Sequence, residues 1–257
     1  MKKRGQITAF IVIGLIFLLF FLIILFTKSY RIEKIGAVSS DELNPIRNYV
    51  DLCAKSSASD ALYLLGVQGG YTAPPKLYFQ SAYAKIAYWY YKGEDVSPTI
   101  KEMEQELSSY VDKALPECIE NLNAFRDMGF EFEFGEINTE TKINENNVEF
   151  KINYPITIIK GESKAEISEF YKMIPARLGY TYNIIKTIVG KEVEDPEWID
   201  ITYLVDQDLD FKIYPYNENT LVYSVLDNQS MIGHGAQFMF LFANGFNKSE
   251  ELSNENE

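Results

Sequence analysis

The chain has 257 residues, a net charge of −13 and 47% hydrophobic residues. With 37 acidic against 24 basic side chains it repels phosphate backbones and anionic headgroups, which argues against a nucleic-acid partner. Two cysteines and one histidine make a poor zinc set, and no cofactor is expected.

Residues 1–6 form a basic stub, Met1-Lys2-Lys3-Arg4-Gly5-Gln6, with no acid to offset it. An unbroken apolar run from Ile7 to Phe26 follows, and about 20 such residues span a bilayer. Residues 7–27 are therefore expected to be a transmembrane anchor, with the lipid bilayer as its partner. A cleaved secretory signal would have a core of roughly 7–15 residues and a small-residue cleavage site, and Thr27-Lys28-Ser29 offers none. Lys2, Lys3 and Arg4 favour a cytoplasmic amino terminus, although Lys28, Arg31 and Lys34 lie just across the membrane. The expectation is a single-pass cell-membrane protein with an extracytoplasmic domain. The stub carries three positive charges, so the rest of the chain is at −16.

The stretch Lys3-Arg4-Gly5-Gln6-Ile7-Thr8 resembles the class III, type IV prepilin-like signal of archaeal surface proteins. That resemblance implies cleavage between Gly5 and Gln6, with Thr8 at the family's small hydroxyl position and the apolar helix retained. Phe10 departs from it, because pilins usually carry Glu there to pair with a neighbour's new amino terminus. The resemblance thus implies processing and tethering more than filament assembly; an ordinary uncleaved anchor explains the same residues. In length, anchor and cysteines the chain is also similar to membrane-anchored proteins of small-genome archaea, a likeness that implies no activity.

Residues 28–44 read as a linker, loosened by Gly36, Ser39 and Ser40. Asn44 as N-cap and Pro45 at the first helical position open a helix. Ile46, Val50, Cys53, Ser57, Ala61 and Leu64 carry its apolar stripe to Leu65, and Gly66 is expected to end it. Residues 77–91 are aromatic-rich and extended. Ser97-Pro98 opens a second helix, whose stripe runs from Ile100 to Phe125 and which Pro116 should kink or split. Cys53 and Cys118 lie on the two stripes, so packing the helices face to face would bring them together. In an oxidising compartment a disulfide follows, contributing about 4 kcal/mol through loop entropy; two buried thiols are the alternative.

After Gly129 the period changes to two. Phe130, Phe132 and Phe134 alternate with Glu131 and Glu133, and Val148, Phe150, Ile152 and Tyr154 alternate with polar residues around a turn at Asn144–Asn147. A strand from Ala165 to Met173, a helix from Ala176 to Val189 stopped by Gly190, an ambiguous 198–205, and strands at 211–214, 221–226 and 237–243 complete the domain. The fold class is α+β: residues 45–246, helical over 45–128 and mainly antiparallel β over 129–246. Residues 247–257 have the composition of a disordered acidic tail.

Candidate chemistry is sparse. His234 sits between glycines with no nucleophile elbow around Ser230. Glu131 and Glu133 on one strand face would lie roughly 7 Å apart, within glycosidase range, but the same alternation marks a solvent-facing strand that Lys151 could neutralise. Asp206, Asp208 and Asp210 copy the opening of a calcium loop, yet Phe211 stands where its glycine should be. Asn228-Gln229-Ser230 and Asn247-Lys248-Ser249 are sequons that would accept N-glycans on an outward-facing domain. No catalytic, metal or cofactor residue emerges. The expected function is non-enzymatic display with protein partners in the envelope or a pilus-like assembly; the alternatives are a filament subunit and a tethered hydrolase using carboxylate pairs.

Overall fold

The computed structural model describes residues 17–19, 38–120, 122–196, 199–233 and 235–246. Gly5, Gln6, Phe10, His234, Asn247 and the tail lie outside the described residues, as does the anchor apart from Phe17–Leu19, which are helical with exposed side chains. Among the described residues no helix is long and apolar enough to cross a membrane.

The first helix, α1 (Ser40–Val67), is the axis of the domain. Its 28 residues span about 42 Å. It begins four residues before the expected Asn44 cap, so the linker ends earlier. Asp41 and Glu42 lie in the first turn, where carboxylates suit the helix dipole, and Ser39 Oγ donates to Glu42 Oε2 at 3.0 Å. Pro45 lies just past the first turn, so its missing N–H leaves the Asp41 carbonyl without an intrahelical donor. Ile46, Val50, Cys53, Ala54, Ala58 and Leu62 are buried along one stripe. Gly66 does not end the helix. A Cβ there would stand 2.3 Å from the Met239 carbonyl oxygen, so glycine lets the helix lie directly on a strand. The turn comes at Gly69 and Gly70, both at positive φ (72° and 102°).

The hairpin β1 (Tyr78–Gln80) and β2 (Lys85–Tyr91) fills the expected extended segment, and β3 (Glu94–Asp95) folds back on β2. Helix α2 (Ile100–Ile119) starts two residues later than Ser97-Pro98 suggests. Thr99 and Glu102 form a reciprocal capping box, with the Thr99 N–H donating to Glu102 Oε2 at 2.7 Å and the Glu102 N–H to Thr99 Oγ1 at 3.2 Å. Met103, Leu107, Val111 and Leu115 bury one face against α1. Pro116 sits inside the last turn, and a separate short helix, α3 (Asn123–Arg126), follows. Cys53 and Cys118 are disulfide-bonded across 65 residues of sequence with Cα atoms 5.8 Å apart. Tyr49 Oη donates to the Cys118 carbonyl at 3.1 Å beside the bridge.

A four-stranded antiparallel sheet comes next: β4 (Glu131–Phe134), β5 (Asn138–Ile143), β6 (Val148–Lys160) and β7 (Ser163–Ile174). β4 and β5 take successive stretches of β6, and β7 pairs with β6 along most of its length. Pro155, which lacks an N–H, sits between those two stretches, and its carbonyl accepts from Gly135 N at 2.8 Å where β4 gives way to β5. The Asn144–Asn147 turn therefore joins β5 to β6, and β5 is a strand that the apolar pattern misses.

Helix α4 (Leu178–Glu194) runs through Gly190 rather than stopping there, and the ambiguous stretch forms α5 (Ile201–Val205), capped by the Asp200 carboxylate. Strands β8 (Asp210–Asn217), β9 (Thr220–Gly233) and β10 (Ala236–Gly245) complete a six-stranded sheet in the order β1-β2-β10-β9-β8, with β3 on β2. All its pairings are antiparallel except β2 with β10. The fold is thus α+β with one antiparallel and one mixed sheet. Helix α1 packs on α2, on β7 of the first sheet and on β9 and β10 of the second. Trp89 is fully buried in the main core: it lies edge-on to Phe240 at 5.4 Å and donates its indole N–H to the Gly69 carbonyl at 2.8 Å.

Candidate functional site

The antiparallel register sets the outer face of the four-stranded sheet in rows. Glu140, Lys151 and Tyr171 share one row across β5, β6 and β7; Asn138, Asn153 and Glu169 form the next. The opposite face carries Thr139, Ile143, Phe150, Ile152 and Phe170, which are buried. Ser108 of α2 donates to Thr141 Oγ1 at 2.9 Å, and Glu104 accepts from Ile143 N at 2.9 Å, so α2 holds β5 in place. These two polar rows line a concavity of about 600 Å³. A second hollow of about 440 Å³, lined by Glu104, Thr141, Lys142 and Glu149, shares Glu140 and Lys151 with it. The side chains of Asn138, Glu140, Lys151, Asn153 and Glu169 make no hydrogen bond or ion pair with another described residue. Desolvation, then the neighbouring Glu149 carboxylate, pushes the Tyr171 phenol above its ordinary pKa.

Glu133, Asp208 and Asp210, singled out by sequence, are occupied. Glu133 pairs with Lys164 at 3.5 Å, not with Lys151, because β4 pairs with the 156–159 stretch of β6 and leaves Lys151 opposite Glu140. Asp208 receives Arg177 Nη1 at 3.1 Å and the Gln229 amide, and Asp210 receives Asn228 Nδ2 at 2.7 Å. Those contacts belong to a bulge in β9, where residues 228–230 are skipped by the strand pairing with β10. Arg177 forks onto the buried Asp227 through Nε at 3.0 Å and Nη2 at 2.6 Å, and Ser230 Oγ donates to the same carboxylate. Burial opposes the Asp227 charge, but Arg177, Ser230 and the Gln229 N–H outweigh it and hold its pKa below the usual carboxylate range.

This arrangement bears on the Asn228 sequon. Asn228 is exposed, but Ser230 is fully buried and its hydroxyl also accepts from Arg177 N at 2.8 Å. Because the sequon hydroxyl is sequestered in the folded domain, glycosylation of Asn228 would have to precede folding.

Glu192 of α4 is the most perturbed carboxyl. It is 1% exposed, accepts from Tyr223 Oη at 2.5 Å, and also accepts from the Asn244 amide. Burial lifts its pKa to about 7, against the two donors, which pull it down. Asn244 Oδ1 in turn accepts from Tyr90 N at 3.2 Å, so the group ties α4 to β9, β10 and β2. The cleft beside it has room for about one water, about 10 Å³, which suits a structural role rather than a substrate site. Among the described residues no cluster of His, Cys, Asp and Glu is arranged to hold a metal.

Sequence reasoning missed the outer face of β5–β7 because its residues come from three strands and meet only through register. The alternation in Asn138-Thr139-Glu140-Thr141-Lys142-Ile143, with threonines on the buried side, is the one local signal that could have found it. No protein family, curated protein or solved structure matches the chain.

Proposed function

We propose that the protein is a non-enzymatic, single-pass membrane-anchored display protein. The stub 1–6 lies in the cytoplasm, residues 7–27 cross the bilayer, and the α+β domain faces out. It serves as a structural or interaction component of the envelope, or as an accessory to a pilus-like assembly. The observation that carries this reading is the Cys53–Cys118 bridge, because disulfides persist in oxidising compartments and the bonded domain directly follows an apolar run of membrane-spanning length. The non-enzymatic part is supported by the carboxylates: Glu192, Asp227, Asp208 and Glu133 are each held by a neighbouring side chain.

Protease treatment of intact cells tests the orientation. The reading expects the domain to be digested from outside while the anchor fragment survives; a fully protected domain would overturn it. The Gly5-Gln6 junction favours a second reading, in which a prepilin-type peptidase processes a filament subunit. Mass spectrometry of the mature amino terminus tests this second reading, because an intact Met1 removes processing and with it the filament.

A further inference from the structure

We infer that the trough on the outer face of β5, β6 and β7 is a binding site for a neutral oligosaccharide. Its volume of about 600 Å³ falls within the range of small-ligand sites. Two strand intervals and one row interval give a polar field of about 10 by 7 Å, open rather than pocket-like.

The backbone donors and acceptors of β6 are consumed by its pairing with β5 and β7, so recognition here falls to side chains. The side chains present suit hydroxyl groups. Asn138 and Asn153 offer amides that donate and accept, Glu140 and Glu169 offer paired acceptor oxygens, and Lys151 donates. All five side chains lack partners among the described residues, so their polar groups are open to a ligand. Tyr171, 53% exposed, adds a flat apolar ring beside them, the surface that packs against the C–H face of a sugar.

Charge selects against the alternatives. An anionic polymer meets Glu140 and Glu169 flanking a single lysine, on a chain at −13. A cationic peptide gains from Glu104, Glu140, Glu149 and Glu169 but meets Lys151 at the centre of the trough and Lys142 at its margin. A neutral chain of hydroxyls meets neither repulsion.

The inference rests on outward display, which brings the trough to the envelope's glycans. It is tested on the purified full chain, in a detergent without a sugar headgroup, by calorimetric titration with maltohexaose, cellohexaose and mannohexaose, and with a galacturonate hexamer and hexalysine. The expected result is binding of at least one neutral hexaose. Tyr171→Ala and Asn153→Ala should each weaken it about tenfold or more, while Tyr214→Ala, on the other sheet, leaves it within about twofold. The inference is overturned if no neutral hexaose binds, if binding survives both trough substitutions, or if either charged hexamer binds as tightly. The titration is independent of topology, so its failure leaves outward display standing, and an inward-facing domain would not cancel a measured binding.

Discussion

Tyr223 donates its phenol to Glu192 at 2.5 Å in the interior, joining the sheet to α4 through a carboxyl that burial lifts to about 7. In the unfolded chain this glutamate ionises near its ordinary value of about 4.3. The fold therefore holds a proton that the unfolded chain has released, and the resulting stability is complete below about pH 4.3 and lost as pH rises through 7. The loss is on the order of 3 kcal/mol. Asp112, also raised by burial, acts in the same direction, whereas Asp95 and Asp227, held low by Lys186 and Arg177 against burial, lose their contribution as pH falls. Thermal unfolding across pH 4–9 should show a maximum on the acid side of neutrality. Glu192→Gln should flatten the decline between pH 5 and 8 while costing about 1 kcal/mol for the hydrogen bond it cannot accept.

Two glycines inside helices should respond in opposite ways to the same substitution. Gly66→Ala places a methyl 2.3 Å from the Met239 carbonyl oxygen and should lower stability by about 2–3 kcal/mol, despite alanine's better helix propensity. Gly190 is exposed, with nothing within 4 Å of its Cβ position, and Gly190→Ala should raise stability by about 0.5–1 kcal/mol. Urea unfolding of the two variants checks both signs.

Arg177 is the counter-ion of a carboxylate that is only 1% exposed. Arg177→Met should cost about 3–5 kcal/mol because it leaves Asp227 buried and uncompensated. Adding Asp227→Asn should recover a large part of that loss, giving a double-mutant cycle with strong coupling. Equal and additive losses in the cycle would show that the fork is not what holds the β9 bulge.

The sequence made the helical half of this fold readable and left the polar face of the first sheet hidden. The stripe through Ile46, Val50, Cys53 and Ala61 and that through Met103, Leu107 and Leu115 mark both helices and their contact, so the approach of Cys53 to Cys118 was legible, while the choice between a bridge and two thiols was not. Strands with apolar alternation, such as β6 and β9, were equally visible. Glycine and proline are weak markers of a helix boundary in this chain. Pro45 fits inside a helix that starts earlier at Ser40, Gly66 serves a close approach to β10, and Gly190 simply continues α4. β5 escaped because Ile143 is its one large apolar residue and its other inward-facing positions are threonines, Thr139 buried and Thr141 bonded to Ser108 of α2. The trough depends on that strand, so Glu140, Lys151 and Tyr171 could not be placed together until the register was known.

Tyr83 offers the most direct test of the proposed display of the domain outside the cell. It is 99% exposed at the tip of the β1–β2 hairpin, while both native cysteines are locked in the disulfide and silent to thiol reagents without reductant. Tyr83→Cys, treated on intact cells with a membrane-impermeant maleimide, should label fully before lysis and gain nothing on lysis. Labelling only after lysis, with Cys53 and Cys118 also reacting as free thiols, would contradict both the outward orientation and the bridge on which it rests.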